Sequence, residues 1–126
     1  MALLTDIATY LQTALSVGTV YTGQMPDTPD ACITVHEYGG FAPVNTMGTD
    51  HQMRRPRIQI ACRGAQGDYA TPRATADSAY TALHMGGAVL SGTTYYRIEA
   101  VDEPFPLERD ANNRWVFVTN YQVWKS

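Results

Sequence analysis

The chain has 126 residues, 44% of them hydrophobic, and a formal net charge of −3 at pH 7, so we expect one domain over residues 1–126 with a buried core. This acidic balance argues against a nucleic-acid-binding surface, which needs a basic face. No apolar run is long enough to predict a membrane span, and an N-terminus that lacks basic residues and carries Asp6 predicts no signal peptide, so we expect a cytoplasmic location.

The first predicted elements are a helix and a short strand. The helix should run for about four turns and stop near Gly18, because apolar residues recur at helical spacing before that glycine. Val20 and Tyr21 can begin a strand, and two Pro-Asp turn signals follow over residues 24–30. The apolar positions of the helix are Leu4, Ile7, Ala8, Leu11 and Leu15.

A second strand is predicted over residues 31–38, which are rich in β-branched and aromatic residues. We expect Gly39-Gly40 to end it. The following residues, up to Met53, are rich in Gly, Pro, Asn and Thr and predict a long loop. A loop of this length inside a compact domain is usually functional or mobile.

Residues 57–63 alternate between apolar and polar positions, which predicts a strand with one buried face. Pro56 would stand at its start. The second helix is predicted over residues 68–85, with Pro72 in its first turn, Asp68 or Thr71 as its cap and Gly86-Gly87 after its end. Its core-facing residues would be Ala76, Ala79, Tyr80 and Leu83.

Two further strands are predicted over residues 93–101 and 115–124. Between them, Glu103-Pro104 should end the first strand, since a residue before proline is driven to extended geometry. Residues 110–113 should make the turn. The last strand is apolar on both faces, and its outward residues would include Val116, Val118 and Trp124. So much exposed apolar surface favours an oligomer.

The element order predicts an α+β fold with a mostly antiparallel sheet and two helices packed on one of its faces. The opposite face would be solvated or covered by another subunit.

The search for catalytic chemistry gives a negative answer. His36, His51 and His84 lack metal-ligand spacing, and the chain has no Cys-x-x-Cys. Cys62 with His36 or His84 could in principle form a nucleophile pair, but Cys62 is in phase with buried positions, where a thiol is inert. We therefore expect no catalytic residues, no metal and no cofactor.

The cationic run of the chain is Arg54, Arg55 and Arg57. It is either a solvated strand end or a contact with acids such as Glu108 or Asp110 on a neighbouring subunit. Exposed pairs contribute little to stability, but a charged rim can set register and specificity.

Several segments taken in order carry a family resemblance. They are LLTDIATYLQ, MPDTPDACITVHEYGG, the alternating strand from Arg57 to Ile60, AYTALH, and EPFPLERDANNRWVFVTNYQV. Together they resemble the tail-terminator or minor capsid proteins of tailed phages with long non-contractile tails, over nearly the whole chain. Similar sequences often carry Asp-x-Asn-Gly at the final turn, where this chain has Asp110-Ala111-Asn112-Asn113. Asparagine also tolerates positive φ.

This resemblance implies a virion protein, assembled in the host cytoplasm, that forms a ring, usually a hexamer. The ring would end polymerisation of the tail tube and join the head connector, with DNA passing through its hole and no enzyme activity. Alternatives are a head-completion or connector protein, or a small cytoplasmic enzyme or ligand-binding module that uses Cys62. Our interface candidates are Phe41, Val44, Asn45, Met47, Asp50, His51, Arg54, Arg55, Arg57, Glu103, Phe105, Leu107, Glu108, Arg109 and Asp110.

Overall fold

The computed structural model describes residues 3–17, 19–27, 29–45, 52–90 and 92–126, with all their side chains except those of residues 41, 43–45, 52 and 85–88. Within those ranges lie two helices, α1 (Leu3–Ala14) and α2 (Ala70–Leu83). The strands are β1 (Val20–Thr22), β2 (Cys32–Asn45), β3 (Gln52–Gln66), β4 (Met85–Leu90), β5 (Thr93–Ala100), β6 (Phe105–Arg109) and β7 (Arg114–Lys125).

The strands form one sheet in the order β1-β2-β3-β7-β5-β4, with β6 also paired to β7. The pairing is antiparallel except between β1 and β2, which are parallel. Strands β5 and β6 lie end to end along the same side of β7. Both helices pack on one face of this sheet, so the predicted α+β architecture is confirmed.

Helix α1 forms as its apolar spacing predicts. Leu3, Ile7 and Leu11 are buried in the main core, and each buried aliphatic side chain of this kind contributes about 1.5–3 kcal/mol. Asp6, in the first turn of α1, is also buried and accepts a hydrogen bond from the Tyr95 hydroxyl at 2.7 Å. No helix in the described ranges is long and apolar enough to cross a membrane.

Helix α2 lies close to the sheet because its inner face is small. Ala76 and Ala79 are fully buried with Leu83, whereas Tyr80 is only half-buried. At its start, the Asp68 carboxylate accepts from the Thr71 backbone N–H at 3.1 Å. Hydrogen bonds with the backbone and side chain of Thr71, and a weaker one with the backbone of Ala70, lower the pKa of Asp68.

The predicted end of α2 at Gly86-Gly87 is wrong. The helix ends at Leu83, and His84 follows as its C-terminal cap. The glycine pair lies in β4, which pairs with β5 from Met85↔Ile98 to Leu90↔Thr93. Tertiary pairing therefore overrides the glycine signal, since an edge position tolerates residues with little strand propensity.

The predicted end of β2 at Gly39-Gly40 is also wrong. The strand continues to Asn45, and β3 begins at Gln52 rather than after Pro56. Both glycines have positive φ, 64° and 145°, and the register shifts between Glu37 and Gly40. They form an irregularity in the ladder opposite Pro56, which accommodates a proline inside a paired strand.

The predicted long loop over residues 39–53 is therefore, in its described part, a pair of antiparallel strands. Strand β3 pairs with β7 up to Arg54↔Lys125. Beyond that point, the described residues of β2 and β3 pair only with each other, at Val44↔Met53 and Asn45↔Gln52. We call residues 40–45 and 52–55 the arm.

The face of the sheet away from the helices is not exposed to solvent, although the apolar last strand had suggested that it would be. Val116 and Val118 are buried with Ala61, and Met25 packs against them. Trp124 is half-buried, with the Arg97 guanidinium 5.7 Å from its ring centroid. The chain itself thus covers the valines that we had taken as evidence for an oligomer.

Strand β6 is an element that the sequence did not predict. The predicted turn over residues 110–113 is confirmed, because Asn113 N–H donates to Asp110 O at 3.0 Å and Asn113 takes a φ of 60°. The residues before it, however, form a strand rather than a loop. They pair with β7 at Phe105↔Val118 and Arg109↔Trp115, and all five are exposed.

The two glycines of β2 make a matched pair for a stability test. A Cβ at Gly40 would lie 2.7 Å from the Arg55 carbonyl oxygen, whereas one at Gly39 would meet nothing within 4 Å. Gly39→Ala should cost about 1–2 kcal/mol from backbone strain alone. Gly40→Ala should cost about 1–3 kcal/mol more because of the clash. Urea unfolding measures both, and equal costs would contradict the register of β2 on β3.

Candidate subunit interface

The thiol site that the sequence left open is not assembled. Cys62 is 1% exposed on the helix-facing side of β3, and burial, followed by the nearby Cys32, raises its pKa to about 12. His36 is paired with Gln59, which lies on the opposite face of β3 from Cys62. His36 therefore lies on the other face of the sheet from Cys62. His84 is exposed at the end of α2. A neutral, buried thiol is a poor nucleophile.

No group of three His, Cys, Asp or Glu side chains within the described ranges could hold a metal ion.

The most concentrated electrostatic feature is a segment held against the sheet by arginines. We call residues 23–27 and 29–31 the strap. Arg63, 6% exposed, donates to the carbonyl oxygens of Asp30 at 2.7 Å, Pro26 at 2.6 Å and Pro29 at 2.7 Å. A buried guanidinium needs such acceptors, because its desolvation would otherwise be very costly.

Arg114 holds the strap from its other side. Its Nη1 donates to Asp30 Oδ1 at 2.9 Å and to Asp27 O at 2.7 Å, and its Nη2 donates to Asp27 Oδ1 at 3.1 Å. Its Nε donates to Asp110 Oδ2 at 2.8 Å. The side chain is only 5% exposed. One guanidinium therefore fixes both the strap and the β6–β7 turn.

The charge states of this cluster support each other. Burial opposes the charge of Asp110, but hydrogen bonds from the backbone N–H and guanidinium of Arg114 outweigh it and lower the pKa. Burial likewise works against the charge of Arg114, and its hydrogen bonds to Asp27, Asp110 and Asp30 raise the pKa above its ordinary value. Sequence reasoning missed both arginines, since an arginine on the polar face of a strand ordinarily indicates a solvent-exposed position.

The candidates in the segment before β7 fall into two groups. Glu103, Phe105, Leu107, Glu108 and Arg109 are exposed on or beside β6. Phe105 and Glu108 lie opposite Val118 and Val116, and cross-strand partners share a face. These two side chains therefore belong to the strap-covered face of the sheet.

The other two charged residues of that segment are engaged within the chain. Arg109 lies 5.4 Å from the Trp115 ring centroid and donates to Asn113 Oδ1 at 2.9 Å. Asp110 is held by Arg114. A substitution at Asp110 would disturb the fold, so it cannot serve as a clean test of an interface.

The candidates of β2 and β3 lie at the end of β7 away from β6, where Arg57 is paired with Gln122 on the strap-covered face and Arg54 is paired with Lys125 on the helix-covered face. Arg54 is exposed, Arg55 donates from Nε and Nη2 to the Ala42 carbonyl at 2.9 and 2.7 Å, and Arg57 Nε donates to Gln122 Oε1 at 3.0 Å. Phe41, Val44 and Asn45 are backbone positions of the arm. Met47, Asp50 and His51 lie outside the described residues.

A groove of about 390 Å³ joins Arg55 and Arg57 to apolar surface. Its wall combines two guanidinium groups with an indole ring and two aliphatic side chains. The lining residues are Arg55, Arg57, Glu99, Ala100, Val101, Gln122 and Trp124. We call it the arginine groove.

The arginine groove and β6 are separated along β7 within one chain. Glu108 lies opposite Val116, and Glu99 lies opposite Gln122. Six residues of an extended strand span about 20 Å. The basic and acidic candidates therefore do not meet inside one subunit and do not form a shared site.

Comparison with known proteins places the chain in a family. Bacteriophage tail terminator proteins match it over residues 6–125, so the chain belongs to that family. A chain from the virion of a native gene transfer agent particle aligns with a TM-score of 0.67 at 15% identity, covering 98% of this chain and 94% of its own. A second solved structure gives a TM-score of 0.51 at 15% identity, with 94% and 88% covered. No curated protein matches significantly in sequence.

The protein is thus a structural component of a phage tail rather than an enzyme, as the resemblance implied. The two structural alignments, at 15% identity, establish a shared fold.

The buried thiols give the first prediction about this chain. Burial raises the pKa of both Cys32 and Cys62, so neither should react with iodoacetamide near pH 7.5 while the chain is folded, and both should react in denaturant. Mass spectrometry counts the labels. Rapid labelling of Cys62 in the folded chain would contradict its burial and would support a function for this thiol.

Lowering the pH should weaken the ion pairs of the Arg114 cluster. Because the folded pKa of Asp110 lies below its ordinary 3.8, its contribution to stability is fully present above that value and is lost as the pH falls through the folded pKa. Asp110→Asn should therefore lower the melting temperature at pH 7 and lose less on acidification from pH 5 to 2.5 than the parent chain. Asp77→Asn, at an exposed ion pair, is the control and should change little. Parallel acid profiles for Asp110→Asn and the parent chain would contradict this role.

Proposed function

We propose that the chain, acting as one domain over residues 1–126, assembles into a closed ring, a hexamer, that ends polymerisation of the phage tail tube. In the same proposal the ring joins the tail to the head connector, and DNA passes through its hole without sequence-specific binding. The observation that carries the proposal is the match to tail terminator proteins over residues 6–125.

The arm supports assembly because a two-stranded ribbon is marginally stable alone in water. Its outer part pairs only with itself in the described residues. Strands of 14 and 15 residues are also far longer than the usual five or six. A neighbouring subunit or the tail tube would supply the missing packing.

The surface charge supports the passage of DNA. A formal net charge of −3 gives the chain an overall negative charge, which opposes the retention of phosphates. The same acidity keeps free subunits soluble before assembly.

A head-completion role remains the alternative from the sequence, and the particle itself separates the two. Without the chain, a tail terminator predicts tails of uncontrolled length, or tails that never join heads. A head-completion protein predicts free tails of normal length beside unsealed heads. Electron microscopy of lysates from the deletion and a complemented control decides between them, and free tails of normal length beside unsealed heads would contradict our proposal.

The oligomeric state is tested on the purified chain. Light scattering with and without tail tubes should give a species of hexamer mass in at least one condition, and negative-stain images should show rings. A chain that stays monomeric and does not bind tubes would contradict ring formation.

A further inference from the structure

We propose that β6 of one subunit docks, through its strap-side surface, into the arginine groove of a second copy of the chain. The proposal rests on the ring function above and names the two surfaces that would form each contact. It follows from the distribution of charge and apolar area on one face of the sheet.

The β6 side is acidic and apolar. Glu103 and Glu108 are exposed, and Phe105 and Leu107 are 37% and 54% exposed. Arg109 lies over Trp115, its partner across the strands. Because Arg109 directly follows Glu108 in β6, it lies on the opposite face of the sheet from Glu108. On its strap side this strand therefore carries the Glu108 carboxylate beside the Phe105 ring.

The arginine groove is the complement of that surface. Arg55 and Arg57 supply positive charge, and Trp124 and Val101 supply apolar walls, with Val101 47% exposed. The acid in its lining, Glu99, is paired with Arg97 at 3.0 Å. An aromatic and an aliphatic anchor beside opposite charges is the composition expected of an interface core and rim.

The two surfaces lie on the same face but about 20 Å apart along β7. One copy can therefore use its two patches with two different neighbours, and in that arrangement the contact is heterologous. Contacts of this kind produce closed rings when the rotation between copies closes.

Hydrogen bonds within the subunit hold groups of both surfaces in place before they meet. Arg114 fixes the β6–β7 turn through Asp110, and Arg57 is held to Gln122 in the floor of the groove. Surfaces ordered in the free subunit lose less conformational entropy on association.

A charge exchange tests the pairing. Glu108→Arg and Arg57→Glu should each raise the concentration for half-assembly at least about tenfold, because each places like charges together. The double variant Glu108→Arg/Arg57→Glu should recover most of the loss, since every contact again joins opposite charges. Asp77→Arg on exposed α2 is the control for net charge and should assemble as the parent chain does. Circular dichroism checks that each variant is folded.

Cross-linking supplies a readout that does not depend on charge. In Glu99→Cys/Glu108→Cys the two thiols are too far apart for a short bismaleimide within one chain, so a ladder from dimer to closed ring should form. Either single variant should give no ladder. Glu99→Cys/Asp77→Cys is the control pair and should give none.

The outcomes separate this inference from the ring itself. Rings that assemble normally with Glu108→Arg and yield no cross-linked ladder would overturn the pairing and leave the ring standing. Dimers from Glu108→Cys alone would overturn it too, since β6 would then meet β6. If the parent chain forms no oligomer with or without tail tubes, both proposals are wrong.

Discussion

The fold depends on two buried guanidinium groups that hold an irregular segment against an open sheet face. Arg63 and Arg114 together place eight donor contacts on the strap and on Asp110. Backbone carbonyls of a Pro-rich segment have no ladder partners of their own, and these donors satisfy them. Without them, Val116 and Val118 would lose their cover, and the turn before β7 would lose its anchor.

This constraint explains why a small α+β sheet can expose distinct surfaces at its ends. The helices cover one face and the strap covers the middle of the other. On the strap-covered face, β6 and the arginine groove remain accessible among the described residues. A subunit that binds different partners through different patches needs this division, and the family of phage tail terminators is one in which subunits associate with other virion components.

The sequence predicted the parts of the fold that periodicity controls. Helix α1, the middle of β3 and most of β7 follow from apolar spacing, and the buried Ala76, Ala79 and Leu83 follow from the spacing in α2. The errors came at Gly39-Gly40 and Gly86-Gly87, where glycine signals an end but the strands continue. Pairing across the sheet decides those positions, and no local pattern reports it.

The sequence predicted which residues of the candidate surfaces are exposed better than it predicted the elements that carry them. Exposed Glu108 and Leu107 were named correctly as surface residues, yet β6 itself was missed because Pro104 and Pro106 read as loop. Asp110 was named as a contact candidate, and the structure shows that it pairs with Arg114 within the chain. An internal ion pair between residues four apart, completed by a segment more than 80 residues away, has no signature that one sequence reveals.

The most direct test of the account is an electron cryomicroscopy reconstruction of the assembled particle with this chain located in it. The account predicts a closed ring of six copies at the end of the tail tube that faces the head, with β6 of each copy against Trp124 and Arg57 of the next. Isolated copies, or copies placed only inside the head, would contradict it.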